Sequence, residues 1–219
     1  MRLIDIIQRF EDKPWDWNEL SYNPSITWET VLDNLDRDWN WVCLSGNRST
    51  TWDIVVGNPD RPWDWEELSY NPTITWEDVL DNLYRPWDWH GLSSNPSITW
   101  ETVLNNPDHP WDWEVLSRNP NITWEIIRDN PNRPWDWAKV SINPSTTWEN
   151  IRDNPDKPWD WGWNSISENI TWDIIEANPD KPWNWNSISM NNMSYGKEKY
   201  IQLYQYKLFL INIYRTTNK

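Results

Sequence analysis

Carboxylates are the side chains of this sequence whose number and spacing could support chemistry. The 219 residues include 34 Asp and Glu, and two carboxyl groups held in one site are a common device for general acid–base catalysis. Here the acidic pairs return at a regular interval, whereas a catalytic pair is expected as a single constellation in one concave pocket. We therefore predict that the protein is not an enzyme and has no catalytic residues.

The other reactive side chains are few. His90 and His109 are not spaced as metal ligands, and we expect both to face solvent. Cys43 is the only cysteine, so one chain can form neither a disulfide framework nor a cysteine-based zinc site. The sequence also lacks a phosphate-binding loop and a Ser-His-Asp arrangement. It therefore predicts a protein with no metal site and no cofactor.

Charge and hydropathy narrow the range of partners. The formal net charge is -15, which opposes binding to nucleic acid, because that affinity comes mainly from neutralised phosphates, and to an anionic membrane surface. A mean hydropathy of -0.92 with this charge is typical of disorder. The 24 Trp residues oppose that interpretation, because each indole buries roughly 150–250 Å². We expect a folded acidic chain that binds neither nucleic acid nor membrane.

Tryptophan organises the chain, because its positions repeat every 24 residues. The motif Pro-Trp-Asp-Trp carries two series of Trp, which begin at Trp15 and Trp17, and the motif Ile-Thr-Trp-Glu carries a third, which begins at Trp28. Only Trp163 lies outside these series. Positions that hardly vary within a repeat usually form its core. The residues predicted to form this structural ladder include Trp15, Trp17, Trp28, Trp41, Trp52, Trp65, Trp76, Trp89, Trp100, Trp113, Trp124, Trp137, Trp148, Trp161, Trp172 and Trp185.

The two motifs predict two short helices in each repeat. Asp or Thr precedes the Trp, where its side chain can accept hydrogen bonds from the first free amides of a helix, and an Asn-Pro step follows, where the residue before proline avoids the helical region. Helices of about two turns are unstable alone and need neighbouring repeats. We therefore predict an all-α solenoid of 24-residue repeats. The alternative is a β-solenoid, since Thr, Trp and Ile favour strands, but residue alternation and Gly-rich corners are missing.

The repeat also predicts the domain organisation. Residues 1–14 form a modified half-repeat that caps the N-terminal end, and residues 15–195 are the tandem repeats. Residues 196–219 are either a capping helix or a tail without the repeat. Around Trp161 the sequence suggests a gain of two residues balanced by the loss of the Asn-Pro step, which would preserve the length of the unit.

Recurring polar side chains have structural interpretations. A basic residue precedes most Pro-Trp steps, from Lys13 to Lys181. These cations could form a stripe for an acidic ligand, but nearby Asp residues and stacking on indoles favour a structural role. Two series of Asn, which begin at Asn23 and Asn34, are predicted to satisfy backbone groups along the stack.

Two strings of the repeat are distinctive. Asn-Pro-Asp-Lys-Pro-Trp-Asp-Trp at 154–161 and Asn-Pro-Asn-Ile-Thr-Trp-Glu-Ile-Ile at 119–127 resemble the Trp-rich repeat proteins of giant DNA viruses of amoebae, the mimivirus group. The resemblance covers residues 1 to about 195 and implies a virus-encoded protein, made in an infected protist, without catalytic residues. We expect it in the cytoplasm of the infected host cell or in the virion. Asp5 and the lack of a sustained apolar region at the start of the chain predict that no signal peptide secretes it.

Positions that differ between repeats while the frame is constant are candidates for function. They predict a scaffold for protein–protein interaction with an unknown protein partner. The alternatives are a carbohydrate-binding protein, in which spaced indoles stack on sugar rings, and a structural protein that self-associates end to end. Exposure of the indoles distinguishes the first two. The candidate interaction surface comprises Glu66, Glu67, His90, Glu114 and Lys139.

Overall fold

The computed structural model describes residues 3–191, and every regular element within them is an α-helix. This confirms the all-α repeat fold with two short helices in each repeat, and the β-solenoid alternative is wrong for this part of the chain. The helices are α1 (Leu3–Arg9), α2 (Trp17–Tyr22), α3 (Trp28–Leu32), α4 (Trp41–Gly46), α5 (Trp52–Gly57), α6 (Trp65–Tyr70), α7 (Trp76–Leu80), α8 (Trp89–Ser94), α9 (Trp100–Asn105), α10 (Trp113–Leu116), α11 (Trp124–Asp129), α12 (Trp137–Val140), α13 (Trp148–Asp153), α14 (Trp161–Asn164), α15 (Trp172–Ala177) and α16 (Trp185–Met190).

The helices begin at the predicted capping residues. The Asp64 carboxylate accepts a hydrogen bond from the amide of Glu67 at 2.9 Å, and the Thr27 hydroxyl caps α3 in the same way. Asn40 replaces the capping Asp in one repeat, and its side chain accepts from the amide of Cys43. The expected Asp caps are therefore confirmed, and Asn serves as a further capping residue. The Thr caps are confirmed at Thr27, Thr75, Thr99 and Thr147. The predicted cap is wrong at Thr51, Thr123 and Thr171, whose side chains accept no bond from the amides of their helices.

Several helices are shorter than the two turns that the motif predicts. Helices α10, α12 and α14 have 4 residues each. After α10 the amide of Arg118 donates to the carbonyl of Val115, and the amide of Asn119 donates to that of Leu116. These bonds close tighter turns than the α-helix, as is common at helix ends, so the helical segment stops before the Asn.

The chain divides between Asn121 and Ile122 into two compact units. In the first unit the first helices of neighbouring repeats pack together, α2 with α4, α4 with α6, α6 with α8 and α8 with α10. Helices α4, α6, α8 and α10 contribute fully buried aliphatic residues, among them Leu44, Leu68 and Leu92, and α2 contributes the buried Leu20. Helix α1 adds Ile7 to the cluster around the first repeat.

The second unit uses the same repeat. Its first helices are α12, α14 and α16, and its second helices are α11, α13 and α15. Around Trp161 the structure shows substitution within an unchanged frame and not the compensated insertion that the sequence suggests. Ser167 stands where other repeats have Asn, and the amide of Ile170 donates to its carbonyl just as the amide of Ile26 donates to the carbonyl of Asn23. The predicted cap or tail at 196–219 lies outside the described residues.

Candidate interaction surface

The indoles of the first unit meet in groups of three that span consecutive repeats. The ring centroid of Trp63 lies 5.3 Å from that of Trp41, edge-on, and 5.5 Å from that of Trp28. Trp28 and Trp41 lie 6.4 Å apart. Such edge-to-face aromatic pairs contribute about 0.5–1.5 kcal/mol beyond their buried area. The same triad recurs 24 and 48 residues later, as Trp52, Trp65 and Trp87 and as Trp76, Trp89 and Trp111.

The second unit contains the same kind of contact. Trp159 lies 5.4 Å from Trp124 and 5.2 Å from Trp137, measured between ring centroids. Trp183 packs in the same way on Trp148 and Trp161. In both units, therefore, the first indole of a Pro-Trp-Asp-Trp motif contacts the indoles that lie 22 and 35 residues earlier in the chain.

The first Trp of each motif also forms a hydrogen bond. The indole N–H of Trp63 donates to the carbonyl of Asn58 at 2.9 Å, and that of Trp159 donates to the carbonyl of Asn154 at 2.8 Å. Each of these rings is more than nine-tenths buried. Because the N–H is bonded and the ring is buried against neighbouring indoles, these indoles are committed to the scaffold.

The predicted structural ladder is mostly enclosed. Only two of its members are exposed, Trp172 and Trp185, as is Trp163 outside the series. The ladder residues divide into buried Trp76, Trp124 and Trp148 and half-buried Trp15, Trp17, Trp28, Trp41, Trp52, Trp65, Trp89, Trp100, Trp113, Trp137 and Trp161.

The basic side chains cover indoles of the second series in the first unit. The guanidinium of Arg61 lies 5.7 Å from the ring centroid of Trp41, and the equivalent Arg85 covers Trp65. His109 occupies the same place and stacks on Trp89 with centroids 4.6 Å apart. His109 is therefore half-buried, and the expectation that it faces solvent is wrong, because its ring packs on the indole.

Polar side chains tie each repeat to the one before it. The buried Asn71 side-chain amide donates to the carbonyls of Ser45 and Asn47, which confirms the predicted role of that Asn series. The series that begins at Asn34 instead bonds within its own helix, as when the Asn58 amide donates to the carbonyl of Ile54. Here the prediction of bonds between repeats is wrong, because this side chain satisfies the end of its own helix.

Buried serines form a further connection that the motif analysis misses. The Ser45 hydroxyl donates to the carbonyl of Trp41 at 2.7 Å and accepts from the amide of Asp64 at 2.9 Å. The sequence contains the signal, because a serine recurs at this place in every repeat. The series is Ser21, Ser45, Ser69, Ser93, Ser117, Ser141, Ser165 and Ser189.

With these positions engaged, three other positions at each first helix remain variable; most of their residues are exposed or half-buried, whereas Cys43, Gly91 and Val115 are buried. We call the first, second and fifth residues after the Trp that begins each of these helices the variable face. The positions in the first unit are Asn18, Glu19, Tyr22, Val42, Cys43, Gly46, Glu66, Glu67, Tyr70, His90, Gly91, Ser94, Glu114, Val115 and Arg118, and those in the second unit are Ala138, Lys139, Ile142, Gly162, Trp163, Ile166, Asn186, Ser187 and Met190.

The structure places all five predicted surface residues on the variable face. Glu66, His90 and Glu114 are exposed, whereas Glu67 and Lys139 are half-buried. In the second unit the Lys139 ammonium lies 5.4 Å from the ring centroid of Trp163. In the first unit His90 has Tyr70 as its aromatic neighbour, at 6.2 Å between ring centroids.

Two carboxyl groups in the first unit, Glu67 on the variable face and Asp112 beside it, have shifted pKa values. Burial, followed by the nearby Asp64 and Glu66 carboxylates, raises the pKa of Glu67. Burial also raises the pKa of Asp112, but the hydrogen bond with His90 and those from backbone amides outweigh it, so that the pKa is lowered. The His90 Nδ1 to Asp112 Oδ2 distance is 2.7 Å. The first unit therefore presents mainly acidic and aromatic groups, whereas apolar groups and Lys139 prevail in the second.

Two further properties concern residues 3–191 only. No three His, Cys, Asp or Glu side chains in this range converge as metal ligands would. No helix in the same range has the length and apolar character needed to cross a bilayer.

The fold and its surface define an α-helical tandem-repeat protein. Its constant residues connect the repeats, and its variable residues share one face in each unit. No protein-family model, curated protein or solved structure matches the chain.

Proposed function

We propose that this chain is a non-enzymatic scaffold for protein–protein interaction and that the variable face binds the partner. One observation carries the proposal: residue types change from repeat to repeat on this face, while the Trp, Ser and Asn positions around it are committed to contacts between repeats. Glu66, His90 and Glu114 occupy equivalent positions in three successive first helices, so a partner would meet a carboxylate, an imidazole and a carboxylate in turn.

The position of the indoles supports this function over carbohydrate binding. A sugar-binding row needs open ring faces at regular intervals, but most of these rings pack against other indoles or beneath cations. Of the exposed indoles, Trp163 lies outside the three series, and Trp172 and Trp185 belong to different series, so they do not form a regular row. We also propose, from the sequence resemblance alone, that the protein is encoded by a giant virus and acts in the infected cell or in the virion.

Affinity capture with matched variants tests the proposal. The full chain is immobilised and exposed to a lysate of infected amoebae, and bound proteins are identified by mass spectrometry. The test variant carries Glu66→Lys and Glu114→Lys on the variable face. The control carries Glu77→Lys and Glu101→Lys, which make the same charge change at the same helical position of the second helices.

The proposal expects proteins that bind to the wild-type chain and the control but not to the test variant, with equal melting temperatures for both variants. A set of bound proteins that is the same for all three chains would contradict it.

A further inference from the structure

One repeat departs from its neighbours on the variable face of the first unit. Gly46 ends α4 at the place where the flanking repeats have Tyr22 and Tyr70. Arg48 follows where those repeats have proline. Since Ser45 and Asn47 of this repeat keep their bonds to the neighbouring repeats, stacking of the repeats does not explain these two residues.

The missing side chain leaves a pocket, which we call the Gly46 pocket. Its volume is about 340 Å³, and its walls include Tyr22, Val42, Cys43, Arg48 and Glu67. A Cβ atom added to Gly46 would lie 2.8 Å from Oε2 of Glu67. Glycine therefore allows this carboxylate to lie against the helix end, and any larger residue would displace it.

The groups around the Gly46 pocket are suited to a cation. The neighbouring Cys43 side chain, followed by burial, raises the pKa of Tyr22, and the Glu19 and Glu67 carboxylates raise it further. Of these two carboxylates, that of Glu67 lines the pocket and lies beside Gly46. Arg48 is the one positive residue in the pocket wall. A cation in the pocket would pair with the Glu67 carboxylate.

We propose that the Gly46 pocket binds a basic side chain, lysine or arginine, of a protein that docks on the variable face. This inference rests on the proposed function. Glu67 provides the carboxylate for an ion pair, and the Tyr22 ring, which is 65% exposed, provides an aromatic face for the cation. The exposed side chain of Val42 contacts the methylene groups of the bound side chain, since basic residues bury their stems against apolar surfaces.

Nuclear magnetic resonance tests the inference on the full chain. The probe is Nα-acetyl-lysine methylamide, and the neutral control is the norleucine analogue, which has the same methylene stem. We expect saturable shifts of the backbone amides of Gly46 and Glu67 with the lysine probe only. Equal shifts with the norleucine probe, or an absence of shifts, would overturn the proposal.

Variants then test which ligand charge the Gly46 pocket selects and whether the space beside Gly46 is needed for binding. Glu67→Gln should raise the dissociation constant about three- to tenfold, as for a partly exposed ion pair, and Arg48→Ala should lower it, because a competing cation is removed. Gly46→Ser should weaken binding by filling the pocket. Gly57→Ser is the control, because Gly57 also ends a helix but a Cβ there meets no atom within 4 Å.

The outcomes separate this inference from the proposed function. If Glu67→Gln binds the lysine probe more tightly than wild type and Arg48→Ala binds it more weakly, the pocket does not select a positive charge, and the inference is overturned. If the lysine probe does not bind but partner capture still depends on Glu66 and Glu114, the inference fails and the proposed function stands. If capture is independent of the variable face, the proposed function fails.

Discussion

The backbone amide of Asp88 donates a hydrogen bond to the hydroxyl of Ser69, across an N-to-O distance of 2.9 Å. The two residues belong to successive repeats, and Ser69 is completely buried. The same hydroxyl donates to the carbonyl of Trp65 at 2.7 Å. One small side chain therefore satisfies the end of its own helix and holds the start of the next motif.

Replacing this serine should destabilise the first unit. In Ser69→Ala the Asp88 amide loses its partner in a buried place, and an unsatisfied buried group costs about 1–3 kcal/mol. We expect the free energy of unfolding, measured by urea denaturation with circular dichroism, to fall by that amount. Ser25→Ala, at an exposed serine of the same unit, should change it by less than about 0.5 kcal/mol. Equal effects of the two substitutions would contradict the role assigned to Ser69.

A buried Trp should contribute more to the free energy of unfolding than an exposed Trp. Trp87→Phe removes the N–H that donates to the carbonyl of Asn82 at 3.0 Å and shrinks a ring that packs on Trp65 and Trp52. The free energy of unfolding should fall by about 1–3 kcal/mol, because the carbonyl of Asn82 loses its hydrogen-bond donor. Trp185 is 58% exposed, so Trp185→Phe should have a small effect. Thermal denaturation measures both, and a larger loss for Trp185→Phe would argue against the packing described.

Asn164 is a polar residue at a position where the first helices of other repeats have a buried aliphatic residue. It occupies the place of Leu116 and Val140 and is fully buried, and neither polar atom of its side-chain amide has a hydrogen-bond partner within residues 3–191. Asn164→Leu should therefore raise the free energy of unfolding of the second unit by about 1–3 kcal/mol. Asn105→Leu, at an exposed helix position, is the control. A loss of stability in Asn164→Leu would show that the amide is satisfied.

Protonation of Glu67 should make stability depend on pH. Its pKa is raised in the folded chain, by burial first, so the folded state binds more protons than the unfolded state between the two pKa values. The free energy of unfolding then falls as pH rises through that interval. Glu67→Gln should remove this loss, so its advantage over wild type should grow from about pH 4 to about pH 7. Urea denaturation at both pH values tests this, with Glu77→Gln as the control for charge; an advantage that is constant with pH would contradict it.

Much of the fold follows from the sequence because the repeat presents the same local evidence many times. Asp64 and Thr27 precede helical segments that are too short to be stable alone, and the constant interval to the next Trp fixes which residues face each neighbour. Capping and termination are local, so a pattern of residue types suffices to predict them.

The bonds between repeats were harder to predict. Ser45 recurs as regularly as Trp41, but serine is common on surfaces, so its burial depends on the approach of the next repeat. The chemistry of the variable face is also a property of neighbours. The Gly46 pocket depends on the Glu67 carboxylate of another repeat, and a single helix pattern gives no indication of that contact.

The central claim is that indoles enclosed between successive repeats hold the chain together. Only 3 of the 24 Trp are exposed, so acrylamide quenching of tryptophan fluorescence tests it directly. We expect blue-shifted emission and much weaker quenching in the folded chain than in the chain unfolded in urea. A chain that is folded by circular dichroism but is quenched as readily as the unfolded chain would contradict the claim.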